Sequence, residues 1–388
     1  MKNKMTEPTR ARASAKRRLR SLLTTSVATL ACLPAFATDY FREHDRHKEE
    51  THYEQINLVS DISGVAQIQD TNLVNAWGIS FGPAGPIWIS ANGTGNAAIY
   101  AVTNDAVGAP HVTRNPLVVA IPGNGGVTGS VFNNNTNAFN ADVFIFASTD
   151  GTISGWRPPL GNAAEVLARR EGAIYTGLAL VTNNANPVLL AANFSEGTID
   201  MYNASLQLIG QFADRHAPRR YAPYNVQNVA GTVFVTFAKQ NESKNGLLFG
   251  RGRGLIDTFN PATGKFRRFA TGKAAGGPVR EMNAPWGITL APDSFGSHAD
   301  ALLVGNFGSG TIMTFDEHGR FRGLLKGSEE CAVTIDGLWG LAFGRAGTAG
   351  VPTDLYFTAG PNGEANGLFG VIQTSEEADD NDDDDDRQ

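Results

Sequence analysis

The segment 152–156 reads Thr152-Ile153-Ser154-Gly155-Trp156, and the same phrase returns as Thr198-Ile199-Asp200-Met201-Tyr202 and as Thr311-Ile312-Met313-Thr314-Phe315. Looser copies occupy residues 98–100, 255–259 and 367–369, and the apolar anchors of successive copies lie 46 to 57 residues apart. A repeat of that length made of short strands is typical of a β-propeller, in which each repeat forms one four-stranded blade. The sequence therefore predicts an all-β fold with six blades.

Other strands of the repeat surround this phrase. First strands pair a large apolar residue with glycine, as in Trp77-Gly78, Trp286-Gly287 and Trp339-Gly340, and second strands are near-continuous apolar runs. Fourth strands are predicted at 117–121, 165–168, 207–212, 265–269 and 320–325. The sixth repeat ends without a fourth strand, but residues 55–59 offer one. We expect this N-terminal strand to complete the last blade, because closure of the ring removes two exposed sheet edges.

The two ends of the chain differ in composition from the repeats. Residues 1–37 combine eight Lys/Arg, an apolar run from Leu22 to Leu33 and small residues near Ala37, which predicts a cleaved Sec-type signal peptide and a secreted or periplasmic protein. Residues 38–53 are expected to form a flexible, charged lead-in, and 54–375 the propeller domain. Residues 376–388 hold nine acidic residues and are expected to be a disordered tail.

Cleavage near Ala37 has two consequences for the mature chain. It removes eight positive charges and one negative charge, so the net charge changes from −6 to −13. It also leaves Cys331 as the single cysteine, which we expect to be a buried small hydrophobe rather than a nucleophile. We expect no nucleic-acid partner, no membrane span and a monomer.

Polar residues at the ends of inner strands converge on the axis of a propeller. Asn75, Asn193, Asn225 and Asn306 are the predicted binding residues of the central channel. Glu281 and Asp336 precede equivalent strands, and carboxylates with Asn carbonyls are ligands that Ca²⁺ prefers. The alternative is that these residues cap turns and satisfy backbone groups at strand ends.

The strand phrases resemble those of NHL-repeat and gluconolactonase-like six-bladed propellers. Residues 53–373 also resemble an uncharacterised family of secreted bacterial propeller proteins, through Leu58-Val59-Ser60-Asp61, Asn75-Ala76-Trp77-Gly78 and Asn92-Gly93-Thr94-Gly95. The gluconolactonase-like resemblance implies a central cation that polarises a substrate carbonyl, and Glu281, Asn225 and Asp336 match such a ligand set best.

Two further groups of residues allow more than one interpretation. The fourth repeat is basic, with twelve Lys/Arg against three acidic residues between Asp214 and Arg280. Arg251, Arg253, Arg267 and Arg268 are therefore candidates for binding an acidic polysaccharide, a phosphate-bearing surface or the chain's own acidic tail, although a solvated loop surface is the default interpretation. Trp77, Trp286 and Trp339 occupy equivalent positions, which favours packing between blades over stacking on sugars.

The sequence leaves two functions open. The first is a secreted binding or scaffold module whose ligand is a small molecule, a polysaccharide or a protein. The second is a metal-dependent hydrolase or lactonase with Ca²⁺ or Zn²⁺, or another divalent cation, in the central channel. Contact between Glu281, Asn225 and Asp336 on the axis would favour the enzyme.

Overall fold

The computed structural model describes residues 51–375, and these residues form strands, turns and four one-turn 3-10 segments (Phe139–Ala141, Pro158–Leu160, Lys273–Ala275 and Gly296–His298). Within this range, no helix has the length and apolar character needed to cross a membrane. The predicted signal peptide, most of the predicted lead-in and the acidic tail lie outside the described residues and stay predictions.

Six antiparallel sheets form the six blades of a β-propeller, which confirms the predicted fold class. Strands β1 (His52–Ser60) and β2 (Ile68–Gln69) belong to the last blade and are described below. Blade 1 contains β3 (Ala76–Ser80), β4 (Ile87–Ala91), β5 (Asn96–Asn104) and β6 (Pro110–Ala120). Blade 2 contains β7 (Val127–Phe132), β8 (Phe144–Ser148), β9 (Thr152–Trp156) and β10 (Glu165–Arg169). Blade 3 contains β11 (Tyr175–Asn183), β12 (Asn186–Asn193), β13 (Thr198–Asn203) and β14 (Leu208–Phe212).

The remaining blades follow the same order. Blade 4 contains β15 (Tyr221–Val229), β16 (Thr232–Lys239), β17 (Leu255–Asn260) and β18 (Lys265–Thr271). Blade 5 contains β19 (Pro285–Leu290), β20 (Leu302–Asn306), β21 (Ile312–Phe315) and β22 (Phe321–Leu324). Blade 6 contains β23 (Leu338–Phe343), β24 (Leu355–Ala359) and β25 (Leu368–Ser375). Each predicted fourth strand of the first five repeats is found as the outermost strand of its blade.

The N-terminal strand β1 closes the ring. It pairs antiparallel with β25, from His52 opposite Ser375 to Ser60 opposite Leu368, and the short β2 adds a parallel pair at its outer edge. Closure by this strand is therefore confirmed. The strand begins earlier than predicted: Tyr53 is buried and its hydroxyl donates to the Phe295 carbonyl at 3.1 Å. The expectation that the flexible lead-in extends to Tyr53 is wrong, because a buried aromatic anchor fixes this end of the strand.

The hydrophobic core is divided among the seams between neighbouring blades. Each of six clusters joins two adjacent blades; one, for example, packs Leu58 and Phe369 of blade 6 against Ile89 and Tyr100 of blade 1. A fully buried side chain of this size contributes about 1.5–3 kcal/mol to stability. The near-continuous apolar runs of the second strands follow from this arrangement, since both faces of the strand are covered.

The first strand of each blade lines the axis, and these six strands contact one another in cyclic order. Each carries a break in pairing register with its second strand, as between Ala76 and Ile79. Close approach demands glycine here: a Cβ on Gly78 would lie 2.4 Å from the Thr128 carbonyl oxygen of blade 2. We call the face where the inner strands begin the upper face, and the face where they end the lower face.

Cys331 is less buried than predicted. Its residue is half-buried, and it is disulfide-bonded in the full-length chain. The expectation of a lone thiol concerns the mature chain after cleavage near Ala37, and it stays a prediction.

Candidate functional site

Three tryptophans meet on the axis and close the channel. Trp77 stacks on Trp339 with ring centroids 3.6 Å apart, and Trp286 meets both rings edge-on at 6.3 and 5.9 Å. Phe307 and Tyr224 extend this cluster, which we call the aromatic plug. The indoles are at most 6% exposed. The three indoles pack on one another across the axis, whereas the sequence predicted packing between neighbouring blades. Because they are buried, no indole face is left open for a sugar.

Hydrogen bonds hold the plug in place from the upper face. Trp339 Nε1 donates to Asn75 Oδ1 at 2.9 Å, and Trp286 Nε1 donates to the Thr176 carbonyl at 2.8 Å. Asn75 Nδ2 then donates to Glu364 Oε2 at 2.8 Å. Asn75 is buried and left-handed (φ 49°), a conformation that Asn tolerates better than most residues. Asn75 therefore lies on the axis, where its amide orients the plug, and its role in ligand binding stays a prediction.

Glu364 places a carboxylate at the upper end of the plug. The residue is exposed as a whole, but desolvation of its carboxyl raises its pKa, and the hydrogen bond from Asn75 opposes this rise. Burial also raises the pKa of Tyr224 well above its ordinary value, and the charge of Glu364 adds to the effect. Both groups therefore favour their protonated forms more than they would in water.

A cavity of about 280 Å³ opens on the lower side of the plug. Its lining comes from the inner strands of all six blades and includes Gly78 to Phe81, Gly129 to Phe132 and Leu178 to Leu180. Trp286 belongs both to this lining and to the plug, so the plug closes the inner end of the cavity. Its volume lies just below the usual range for small-molecule pockets, about 300–1,000 Å³.

Neutral hydrogen-bonding side chains line this cavity. Ser80 and Ser130 lie 2.8 Å apart, oxygen to oxygen, and Gln227 and Asn228 follow on β15. Asn225 sits at the register break of β15, where Nδ2 donates to the Trp286 carbonyl at 2.9 Å and Oδ1 accepts from Val226 N at 2.8 Å. Asn225 therefore lines the channel with its amide engaged by the backbone, and its role in ligand binding stays a prediction.

One lining residue is charged. Arg345 follows β23, is exposed, and has its guanidinium carbon 5.4 Å from the centroid of the Phe81 ring. No ion pair joins Arg345 to an acidic side chain within residues 51–375. The lining residues include no Asp, Glu, His or Cys. The cavity therefore combines neutral polar groups, apolar rings and one unpaired cation.

The other predicted channel asparagines serve the turns. Asn193 Nδ2 donates to Asp200 at 3.0 Å, and its Oδ1 accepts from Ser195 at 3.0 Å. Asn306 Nδ2 donates to the Glu281 carbonyl, and its Oδ1 accepts from Asn283 N at 2.8 Å. Both are fully buried. In this structure their amides satisfy local groups, which is the alternative role that the sequence left open.

The structure gives the three predicted metal ligands separate partners. Glu281 pairs with Arg251 at 3.2 Å, Asp336 accepts from Asn362 N at 2.8 Å, and Asn225 lines the lower cavity. No hydrogen bond joins any two of the three, and in the described range no group of three or more His, Cys, Asp or Glu is placed to hold a metal ion. The cation site stays a prediction.

Three of the four predicted anion-binding arginines have partners within the described protein. Arg268 is paired with Asp257 and, at 2.8 Å, with Asp214. Arg251 pairs with Glu281, and Arg253 donates to the Phe249 carbonyl at 2.9 Å. Arg267 alternates with Arg268 along β18 and is exposed. The net charge of this blade therefore overstates the number of unpaired cations.

Comparison with known proteins gives relatives without an assigned activity. No protein-family model matches the chain. An uncharacterized protein of Acanthamoeba polyphaga mimivirus is 31% identical over 245 residues, which cover 61% of this chain and 43% of that protein. The matched region thus spans less than half the length of this relative. A second uncharacterized protein of the same virus is 28% identical over 335 residues, with 81% and 78% of the two chains covered.

Among solved structures, virginiamycin B lyase from Staphylococcus aureus is similar with a TM-score of 0.47 and 13% identity, over 84% of this chain and 99% of that one. The resemblance to NHL-repeat and gluconolactonase-like propellers, and to secreted bacterial proteins, stays a prediction.

Four residues of the plug and cavity were not predicted from the sequence: Arg345, Glu364, Ser80 and Ser130. Arg345 lies in the turn after β23 and Glu364 in the turn after β24, where no repeated motif marks them. Ser80 was available from the sequence, since it is the last residue of a predicted inner strand. Its partner Ser130 belongs to the weakest copy of that strand.

Proposed function

We propose that this chain is an exported propeller that binds a small molecule in the lower cavity. The observation that supports it is the lining itself, in which six inner strands bring neutral hydrogen-bonding groups, apolar side chains and one cation to a single concave site. Small-molecule sites are concave, largely apolar and carry a few placed polar groups. Export is inferred from the N-terminal 37 residues alone.

The chemistry of the lining favours binding over catalysis. Ser80 and Ser130 are the hydroxyl groups of the cavity, and they hydrogen-bond to each other. A serine nucleophile requires an adjacent general base, and the lining supplies neither imidazole nor carboxylate. The neutral amides of Gln227 and Asn228 are suited to orienting a ligand through hydrogen bonds.

A fragment screen by ligand-observed NMR tests this function. Native protein should bind fragments of about ten non-hydrogen atoms, and Ser80→Tyr should abolish binding because the added ring fills the cavity. Ser205→Tyr is the matched control, since Ser205 is exposed in the turn between β13 and β14. Its melting temperature and binding should equal those of the native protein. Equal binding by a folded Ser80→Tyr variant, or no binding at all, would overturn the function.

A further inference from the structure

The charge state of the lower cavity indicates which ligand it takes. Arg345 is the one ionisable residue among those that line it, and it has no acidic partner within the described range. Ser80, Ser130, Gln227 and Asn228 are neutral at every physiological pH. The lining thus carries a charge of +1, held over the Phe81 ring by a cation–π contact.

An anion that enters this cavity loses part of its hydration, and a paired charge must compensate for that loss. One guanidinium neutralises one negative charge. Its planar fork also matches a carboxylate in bidentate geometry. A phosphate dianion would retain an uncompensated charge among neutral amides and apolar rings, so the site favours a monoanion.

The apolar part of the lining adds a second requirement. Phe81, Phe132, Leu178 and Leu180 line the cavity together with Leu341. A small inorganic anion would leave these surfaces hydrated, whereas an organic ligand removes water from them, at a gain of about 25 cal/mol per Å² of apolar surface. Charge and apolar surface therefore point to the same class of molecule.

We propose that the ligand is a small organic monocarboxylate, whose carboxylate pairs with Arg345 and whose apolar body packs against Phe81, Phe132 and Leu180. This inference rests on the proposed function of the cavity, to which it adds the ligand class. The amides of Gln227 and Asn228 and the Ser80–Ser130 pair are then available to polar substituents of the ligand.

Benzoate, benzamide and inorganic phosphate are suitable probes for an NMR titration to millimolar concentrations. Benzoate and benzamide share a size and a ring but differ in charge. Native protein should bind benzoate at least about tenfold more tightly than benzamide, as expected for a charge-assisted hydrogen-bonded pair. Inorganic phosphate should bind more weakly than benzoate.

Substitutions of Arg345 separate the contribution of its charge to ligand binding from that of apolar packing. Arg345→Gln should remove the preference for benzoate while benzamide binding persists, and Arg345→Lys should retain part of it. Arg322→Gln is the matched control, because it removes an exposed arginine of β22 that lies outside the cavity lining. It should bind benzoate as the native protein does.

The outcomes distinguish the two claims. Equal binding of benzoate and benzamide, or an unchanged preference in Arg345→Gln, would overturn the monocarboxylate class but leave the binding site intact. Benzoate binding that survives in Ser80→Tyr would overturn both, because the anion would then bind elsewhere. Failure of every neutral and charged fragment to bind would overturn the proposed function itself.

Discussion

Trp339 Nε1 donates a hydrogen bond to Asn75 Oδ1 at 2.9 Å, and this bond joins the last blade to the first on the axis of the ring. Asn75 lies two residues before Trp77, which stacks on the same Trp339 ring at 3.6 Å. Asn75 thus orients the Trp339 indole. It also lies at the start of the strand that carries Trp77, whose ring stacks on that indole. Polar and aromatic contacts together close the seam at its inner end.

Asn75→Ala should lower the free energy of unfolding by roughly 1–3 kcal/mol, since a buried indole N–H loses its acceptor. Urea denaturation monitored by tryptophan fluorescence measures the change. Asn75→Asp is the control: it retains an acceptor for Trp339 but sets a second carboxylate against Glu364. The loss of unfolding free energy in Asn75→Asp should become smaller as the pH falls and one of the two carboxylates is protonated. Equal deficits at all pH values would contradict this role.

Closure of the ring by β1 predicts a loss of cooperative stability when this strand is removed. A chain that begins at Asp61 should melt at a lower temperature and over a broader range than one that begins at Thr51, because deletion of β1 exposes the edge of β25. The chain that begins at Thr51 is the matched control. Identical melting curves by differential scanning calorimetry would show that β1 does not close the ring.

Asp257 predicts a dependence of stability on pH. Its carboxyl is buried, its Oδ2 has no hydrogen-bond partner in the described chain, and burial raises its pKa from 3.8 to about 7 against the opposing effect of Arg268. Because the folded state binds this proton more tightly, the stabilisation is complete below pH 3.8 and is lost as the pH rises through about 7. Asp257→Asn does not ionise, so its stability relative to the native protein should rise between pH 4 and pH 8.

Asp316→Asn is the comparison of opposite sign. A hydrogen bond from the Arg320 backbone N–H lowers the pKa of Asp316 to about 2, so its contribution is present above its ordinary value of 3.8 and is lost as the pH falls through about 2. Urea denaturation at several pH values measures both variants. A difference between native and Asp257→Asn that stays constant from pH 4 to pH 8 would contradict the raised pKa.

Chelation tests the predicted cation ligands. Glu281 and Asp336 already have protein partners, Arg251 and the Asn362 N–H. We therefore expect EDTA to leave the melting temperature of the native protein unchanged. A fall in melting temperature that disappears in Asp336→Ala would instead support a bound cation, since a ligand of the native state stabilises it by mass action.

The strands were predictable from the sequence because their pattern is local. Trp-Gly at the start of a first strand and Thr-Ile in a third strand each recur in three of the blades. The apolar strand at 55–59 has a single unfilled place in the ring. Arg268 was selected as an anion-binding candidate because a charge count ignores pairing. Arg268 on β18 lies opposite Asp257 on β17, and this pairing neutralises the charge of the arginine.

The site was less predictable because it depends on the closed ring. Trp77, Trp286 and Trp339 are separated by up to 262 positions in the sequence. Whether their indoles touch depends on the radius of the closed propeller. Arg345 lies beyond the repeated part of its strand, in a turn whose direction sets its place over Phe81. The repeat shows which positions correspond from blade to blade. The properties of the cavity depend on the residues that differ between blades at those positions.

A crystal structure of the protein soaked with benzoate tests the central claim most directly. The account predicts the carboxylate within hydrogen-bond distance of the Arg345 guanidinium and the ring among Phe81, Phe132 and Leu180. Benzoate bound instead at the arginines of the fourth blade, with the lower cavity holding none, would contradict it.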